Sequence, residues 1–120
     1  MVQSQRNARI HAVATILAVA AGMLARISPT EWVLIVLAVL CVWATEALNT
    51  SIEFLVDLVS PDLHPLAAKA KDVAAGAVLV AAIGSLIVAV LVFGPHILNL
   101  IETISHLTAS LVQRKILHFS

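Results

Sequence analysis

The sequence predicts an all-α membrane protein with three transmembrane helices. Three observations carry this reading: the composition, three apolar stretches of spanning length, and the turn residues between them. Of 120 residues, 61% are hydrophobic and 12% are charged, with a mean hydropathy of +1.03. Soluble domains carry about 25% charge, so this chain suits a bilayer. Net charge is zero and no basic tract occurs, which argues against nucleic acid as a partner. The lone Cys41 has no partner for an internal disulfide and reads as a small, buried apolar residue.

A hydrocarbon core of about 30 Å needs about 20 helical residues. The first stretch that meets this runs over residues 8–27, with a clean, uncharged core from Ala12 to Leu24. No small-residue cleavage site with polar flanks follows it, so it reads as a span and not as a signal peptide. Ser28-Pro29-Thr30-Glu31 then reads as the start of a second helix. It offers an N-cap serine, a proline at the first helical position, and a glutamate placed to close a capping box. That helix, residues 30–59, is uncharged from Trp32 to Thr45 and then carries acids. Ser60-Pro61-Asp62 stops it, because proline disfavours helical geometry in the residue before it.

His64-Pro65 opens the third helix, residues 66–93, which passes Lys69, Lys71 and Asp72 before turning apolar from Val73. Gly94-Pro95 is expected to end it. Residues 1–95 thus form one three-helix domain, and residues 96–120 a C-terminal amphipathic helix. In that extension Ile97, Leu100, Ile101, Ile104, Leu107, Leu111 and Val112 share an arc, while Asn99, Glu102, His106, Ser110 and Gln113 face away. Such a helix is suited to the membrane surface. Arg6 and Arg9 precede the first span and Lys69 and Lys71 lie in the second loop, against Arg26 in the first loop and Arg114 and Lys115 in the C-terminal segment. The positive-inside rule then places the N-terminus and the second loop in the cytoplasm.

Glu46, Asn49, Glu53 and Asp57 lie on one side of the second helix. At 100° per residue the three acids fall within roughly 40° of each other, with Asn49 about 60° aside. At 1.5 Å per residue from an outer interface near Trp32, Glu46 lies about 21 Å deep, Glu53 about 32 Å, and Asp57 beyond the lipid. Carboxylates in lipid are expensive and seldom lack a partner, an ion or a task. One reading makes Glu46 and Asn49 hydrogen-bonding glue between helices, with Glu53 and Asp57 a solvated face. Another makes Glu46 part of a proton or ion path. A third places a catalytic site where a lipid headgroup meets a soluble polyanion. His96, His106 and His118 are too widely spaced for a metal site.

The run Glu46-Ala47-Leu48-Asn49-Thr50-Ser51-Ile52-Glu53-Phe54-Leu55-Val56-Asp57, with Asp62-Leu63-His64 and Ala70-Lys71-Asp72, closely resembles the prokaryotic diacylglycerol kinase and undecaprenol kinase family. Asn7-Ala8-Arg9-Ile10-His11 is similar to that family's entry to the first helix, and the likeness covers roughly residues 5–93. The Ser60-Pro61-Asp62-Leu63-His64-Pro65 loop is more like the undecaprenol kinase branch. The resemblance implies a homotrimer in the bacterial inner membrane that uses ATP and Mg2+ to phosphorylate a membrane lipid alcohol, undecaprenol or diacylglycerol.

By the same resemblance Glu46 is the general base and Glu53 holds the magnesium. Gln5, Glu53, Asp62, Leu63, His64, Lys71 and Asp72 match ATP-binding positions, with Asp72 fixing Lys71 or the nucleotide. Asn7, Ala8, Arg9, Ile10, His11, Leu24, Ala25, Arg26, Ile27, Trp32, Asn49 and Ala75 match lipid-substrate positions, Asn49 orienting the site. No glycine-rich phosphate cradle occurs, and the family has none. Gln5 stands where the family usually has a second metal-binding glutamate, and the family's amphipathic N-terminal helix has no counterpart before it. A non-catalytic membrane protein on the same fold is therefore the alternative. Gln5→Glu, by restoring a charged oxygen ligand, is expected to lower the magnesium concentration giving half-maximal activity. An unchanged magnesium titration would remove position 5 from the metal site.

Overall fold

The computed structural model describes residues 2–119, and side chains from Gln5 onward. The described residues form three helices: α1 (Val2–Ala25), α2 (Pro29–Val59) and α3 (Pro65–His118). All three are long and apolar enough to cross a membrane. The bundle measures 83 × 27 × 19 Å. Its long axis is set by α3, whose 54 residues span about 81 Å at 1.5 Å each.

The starts of α2 and α3 follow from local chemistry. Ser28 Oγ accepts from the Glu31 amide at 3.2 Å, and Glu31 Oε1 accepts from the Ser28 amide at 3.2 Å, which completes the expected capping box. Ring nitrogen Nδ1 of His64 accepts from the Leu66 amide at 3.1 Å, so this histidine caps α3. Helix α1 stops at Ala25, two residues before the expected end of the first span. Arg26 turns left-handed (φ 51°), and the Ile27 and Arg26 amides reach back to the carbonyls of Gly22 and Met23. This is a Schellman cap carrying arginine where glycine is usual.

Gly94-Pro95 does not end α3, contrary to expectation; the helix runs through both residues. Proline removes one intrahelical hydrogen bond, to the Leu91 carbonyl, and its ring crowds the preceding turn. Neighbouring contacts hold the helix across that gap: Val92 and Phe93 pack into the core, and His96 Nε2 lies 2.9 Å from Glu31 Oε2 of α2. Beyond, residues 97–119 are exposed.

The closest packing is between α2 and α3, with α1 leaning on both. Small residues allow the approach: Ala74 and Ala81 are buried, and Ser85 Oγ donates to the Ala38 carbonyl at 3.1 Å. A compact apolar cluster of Ile27, Ile35 and Val92, flanked by Ala18, Trp32, Val39, Val88 and Phe93, closes the end near the first loop. Most other large apolar side chains point outward, Leu24 at 86% and Leu58 at 80% exposure among them, as lipid contact requires. Cys41 also faces outward and is not buried as expected, because it lies off the face of α2 that carries Ile35 and Val42.

At Gly22 a β-carbon would stand 2.7 Å from the Trp32 ring and 3.1 Å from Ile27. Gly22→Ala is expected to destabilise the fold by about 1–3 kcal/mol through this overpacking, seen as a lower Tm in detergent. Arg26→Gly is expected to raise stability by about 1 kcal/mol by removing the left-handed penalty. A lowered Tm for that variant would show that the arginine side chain contributes more than its backbone costs.

Candidate active site

The acidic face of α2 grades from interior to surface. Glu46 is 5% exposed and Asn49 7%, Glu53 is half-buried, and Asp57 is exposed. The gradient follows from where α1 and α3 lie. Glu46 and Asn49 face them, whereas the acids one and two turns on approach the second loop.

A cavity of about 260 Å³ opens beside the buried pair. Asn7, Ile10 and His11 of α1, Glu46 and Asn49 of α2, and Ala75 of α3 line it, all six singled out in the sequence. Val78, Leu79 and Ala82 complete its apolar wall. A second cavity of about 240 Å³ lies toward the apolar core, and His11 and Ala82 line both. Its lining is mostly alanine and aliphatic, so the two together join a polar end to a hydrocarbon-like end.

Neither carboxylate oxygen of Glu46 has a hydrogen-bond partner among the described residues, and neither has Asn49 Oδ1. His11 Nε2 lies 3.5 Å from Glu46 Oε2, an ion-pair distance but longer than a hydrogen bond to a carboxylate. Asn49 Nδ2 donates to Glu53 Oε1 at 3.2 Å, within α2 itself. These facts weigh against Glu46 and Asn49 as helix glue, which would show hydrogen bonds between helices. An unpaired buried acceptor is costly, and its persistence marks a place prepared for a ligand or a proton.

The remaining sequence-predicted positions divide by location. Lys71 Nζ donates to Asp57 Oδ1 across the second loop, and does not pair with Asp72. Adjacent helical residues point about 100° apart, so a Lys71–Asp72 pair is disfavoured geometrically, while Asp57 sits opposite. Sequence reasoning left Asp57 as a solvated residue. Asp57 lies near the end of α2 and Lys71 more than a turn further from the loop on α3, so the pair depends on the reach of the long lysine side chain. Asp62, Leu63, His64 and Asp72 are exposed around that loop, and Gln5 and Arg9 are exposed on the first turns of α1. Ala8 is half-buried beside them and lies off the cavity wall.

Leu24, Ala25, Arg26, Ile27 and Trp32 lie at the other end of the bundle. Leu24 is about 25 Å along α1 from Asn7 at 1.5 Å per residue. There Ile27 is core, Trp32 packs over Gly22, and Arg26 forms the cap. The structure thus gives Ala25, Arg26, Ile27 and Trp32 packing and capping contacts, leaves Leu24 exposed, and does not bring these residues to the acidic face of α2.

No group of three or more His, Cys, Asp or Glu able to hold a metal lies together among the described residues. Magnesium commonly takes one or two protein carboxylates and completes its shell with water and substrate phosphates. The half-buried Glu53 carboxylate and the unpartnered Asn49 Oδ1 beside it are hard oxygen donors, a set that fits a phosphate-bound cation of this kind.

Residues 1–93 match the family described as prokaryotic diacylglycerol kinase. The chain is 42% identical over 95 residues to an undecaprenol kinase of Bacillus subtilis, covering 79% of this chain and 77% of that protein. It is 40% identical over 98 residues to a diacylglycerol kinase of Synechocystis, covering 81% of this chain and 56% of that protein. The diacylglycerol kinase of Escherichia coli is 35% identical over 79 residues, or 66% of this chain and 65% of that one.

Proposed function

The chain belongs to the prokaryotic diacylglycerol kinase family and is a membrane lipid kinase, and from that premise we propose that it transfers the γ-phosphoryl group of ATP to the hydroxyl of undecaprenol or diacylglycerol, with Glu46 as general base. The observation that supports this most is a buried carboxylate whose two oxygens are both unpartnered and which lines a cavity. The mostly apolar cavity beside it suits part of a hydrocarbon tail. Undecaprenol is the preferred acceptor, on the strength of the loop sequence from Ser60 to Pro65 and the likeness to the Bacillus enzyme.

The steps follow from chemistry at named atoms. A lipid hydroxyl entering the cavity donates its proton to a Glu46 oxygen as its own oxygen attacks the γ-phosphorus, and ADP leaves. Proton transfer to a positioned base contributes about 10²–10⁴-fold to such reactions. Glu53, with Asn49 beside it, would hold the magnesium, which neutralises charge on the nucleotide phosphates. Lys71, tethered to Asp57, places a cation at the water-facing end of the same helix face. Asp62, Leu63, His64 and Asp72 surround that end and are the reading's nucleotide contacts, together with Gln5. The enzyme works as a homotrimer in the bacterial inner membrane, with the second loop in the cytoplasm where ATP is found. Residue-specific cross-linking in membranes tests that assembly.

The direct test is transfer of labelled γ-phosphate from ATP to undecaprenol or diacylglycerol in mixed micelles. Glu46→Gln is expected to lower kcat at least about 10²-fold with little change in Tm, because the amide keeps the shape and cannot take the proton. Undiminished transfer in that variant would remove the base assignment. Absence of transfer by the unaltered chain, with magnesium raised to saturation, would favour the non-catalytic alternative to which Gln5 points.

A further inference from the structure

We propose that His11 is a positioning residue for Glu46, holding one carboxylate oxygen so that the other is presented to the acceptor hydroxyl. The inference rests on the kinase reading above and assigns His11 to the seam between α1 and α2 instead of to the lipid.

Two rungs cross that seam, His11 to Glu46 and Thr15 to Trp43. The residues are four apart on α1 and three apart on α2, so each pair lies one above the other on its helix. His11 Nε2 and Glu46 Oε2 are 3.5 Å apart, with side chains 16% and 6% exposed. Trp43 Nε1 donates to Thr15 Oγ1 at 3.1 Å, and Thr15 Oγ1 donates to the His11 carbonyl at 2.7 Å. The Trp43 ring also meets the imidazole edge to face, with centroids 6.4 Å apart and planes at 65°. The imidazole is therefore fixed from one side by an indole that is itself tied to the helix bearing the histidine.

What the imidazole faces on its other side is the carboxylate that lacks a hydrogen bond. In the tautomer with its proton on Nε2, His11 carries a donor 3.5 Å from Oε2. A charge-assisted N–H···O contact closes at about 2.7–2.9 Å, so a movement of under an ångström makes the bond. Catalytic hydrogen bonds are often long without substrate and tighten when it binds. A bond to one oxygen fixes the plane of the carboxylate and leaves a single oxygen to receive the alcohol's proton.

A lipid contact and a positioning residue differ in what they change. Losing uniform binding raises KM with kcat retained, whereas losing an interaction made in the transition state lowers kcat. The experiment measures both constants for the full chain in mixed micelles with ATP, magnesium and undecaprenol. His11→Phe keeps the contact with Trp43 and removes the donor. It is expected to lower kcat by about 10–100-fold, as loss of an orienting partner does, with KM for the lipid nearly unchanged. His11→Gln keeps an N–H donor and is expected to recover a large part of that loss. Trp43→Phe, which loses the indole N–H to Thr15 and leaves a smaller ring against the imidazole, is expected to lower kcat to a smaller degree.

A raised KM with unchanged kcat, or a glutamine variant no better than phenylalanine, overturns the proposal. A second readout does not depend on turnover. Tm is measured for His11→Phe, Glu46→Gln and the double variant, and the shifts are expected to be non-additive, as for residues in contact. Additive shifts overturn the proposal. An unaltered chain without transfer activity defeats the kinase reading, and the Tm cycle then still decides whether His11 and Glu46 act together.

Discussion

A carboxylate inside a membrane bundle must be held by its surroundings, because no water is at hand to solvate it. Glu46 is 5% exposed, and both its oxygens lack a hydrogen-bond partner among the described residues. The architecture around it makes that arrangement possible. Alanines let α2 and α3 close on each other, α1 brings an imidazole beside it, and a cavity lined by both groups is left open. A bundle built only for stability would fill such a position with a leucine. The energetic cost is concentrated at one residue, and the small-residue packing around it keeps the space open.

The same helix supplies depth. A capping box starts α2 beside the first loop, and His96 of α3 pins that cap through Glu31. From this fixed end the helix runs unbroken for 31 residues, so its acids fall at successive levels. Glu46 and Asn49 are buried, Glu53 is half-buried, and Asp57 meets Lys71 near the second loop. A phosphoryl transfer from a soluble nucleotide to a lipid needs such a gradient. The proton acceptor belongs with the lipid and the phosphate-binding groups with water.

Much of this was legible in the sequence, and the misses have physical causes. Apolar runs of spanning length and the Ser28-Pro29-Thr30-Glu31 and His64-Pro65 signatures are local features, so three helices and the starts of α2 and α3 could be read directly. Helix α1, in contrast, begins at Val2, six residues before the first apolar run. Among the residues lining the cavity, Glu46 and Asn49 stand out in the sequence as polar groups on an apolar helix, and Asn7, Ile10, His11 and Ala75 through the resemblance. Gly94-Pro95 misled because its breaking tendency is local, whereas the contacts of Phe93 and His96 that carry α3 through it come from elsewhere in the chain. The Asp57–Lys71 pair and the His11–Trp43–Thr15 arrangement depend on the register between helices, which no single helix encodes. Cys41 was misplaced for a related reason. In a membrane both faces of a helix are apolar, so composition does not say which one faces lipid.

The opposite end of the bundle sharpens what the site needs. Leu24, Ala25, Arg26, Ile27 and Trp32 share the family's pattern, yet within this protomer all but the exposed Leu24 are occupied in closing the first turn and packing the apolar core. Their contribution to a reaction about 25 Å away along α1 would be exerted through the helix. The cap and the Gly22–Trp32 contact hold the far end of α1, and the near end carries Asn7, Ile10 and His11 into the cavity wall. A rigid helix fixed at one end fixes the phase of its side chains at the other. On this account a pattern that reads as substrate binding in the sequence is, in this chain, partly a pattern for placing His11 against Glu46.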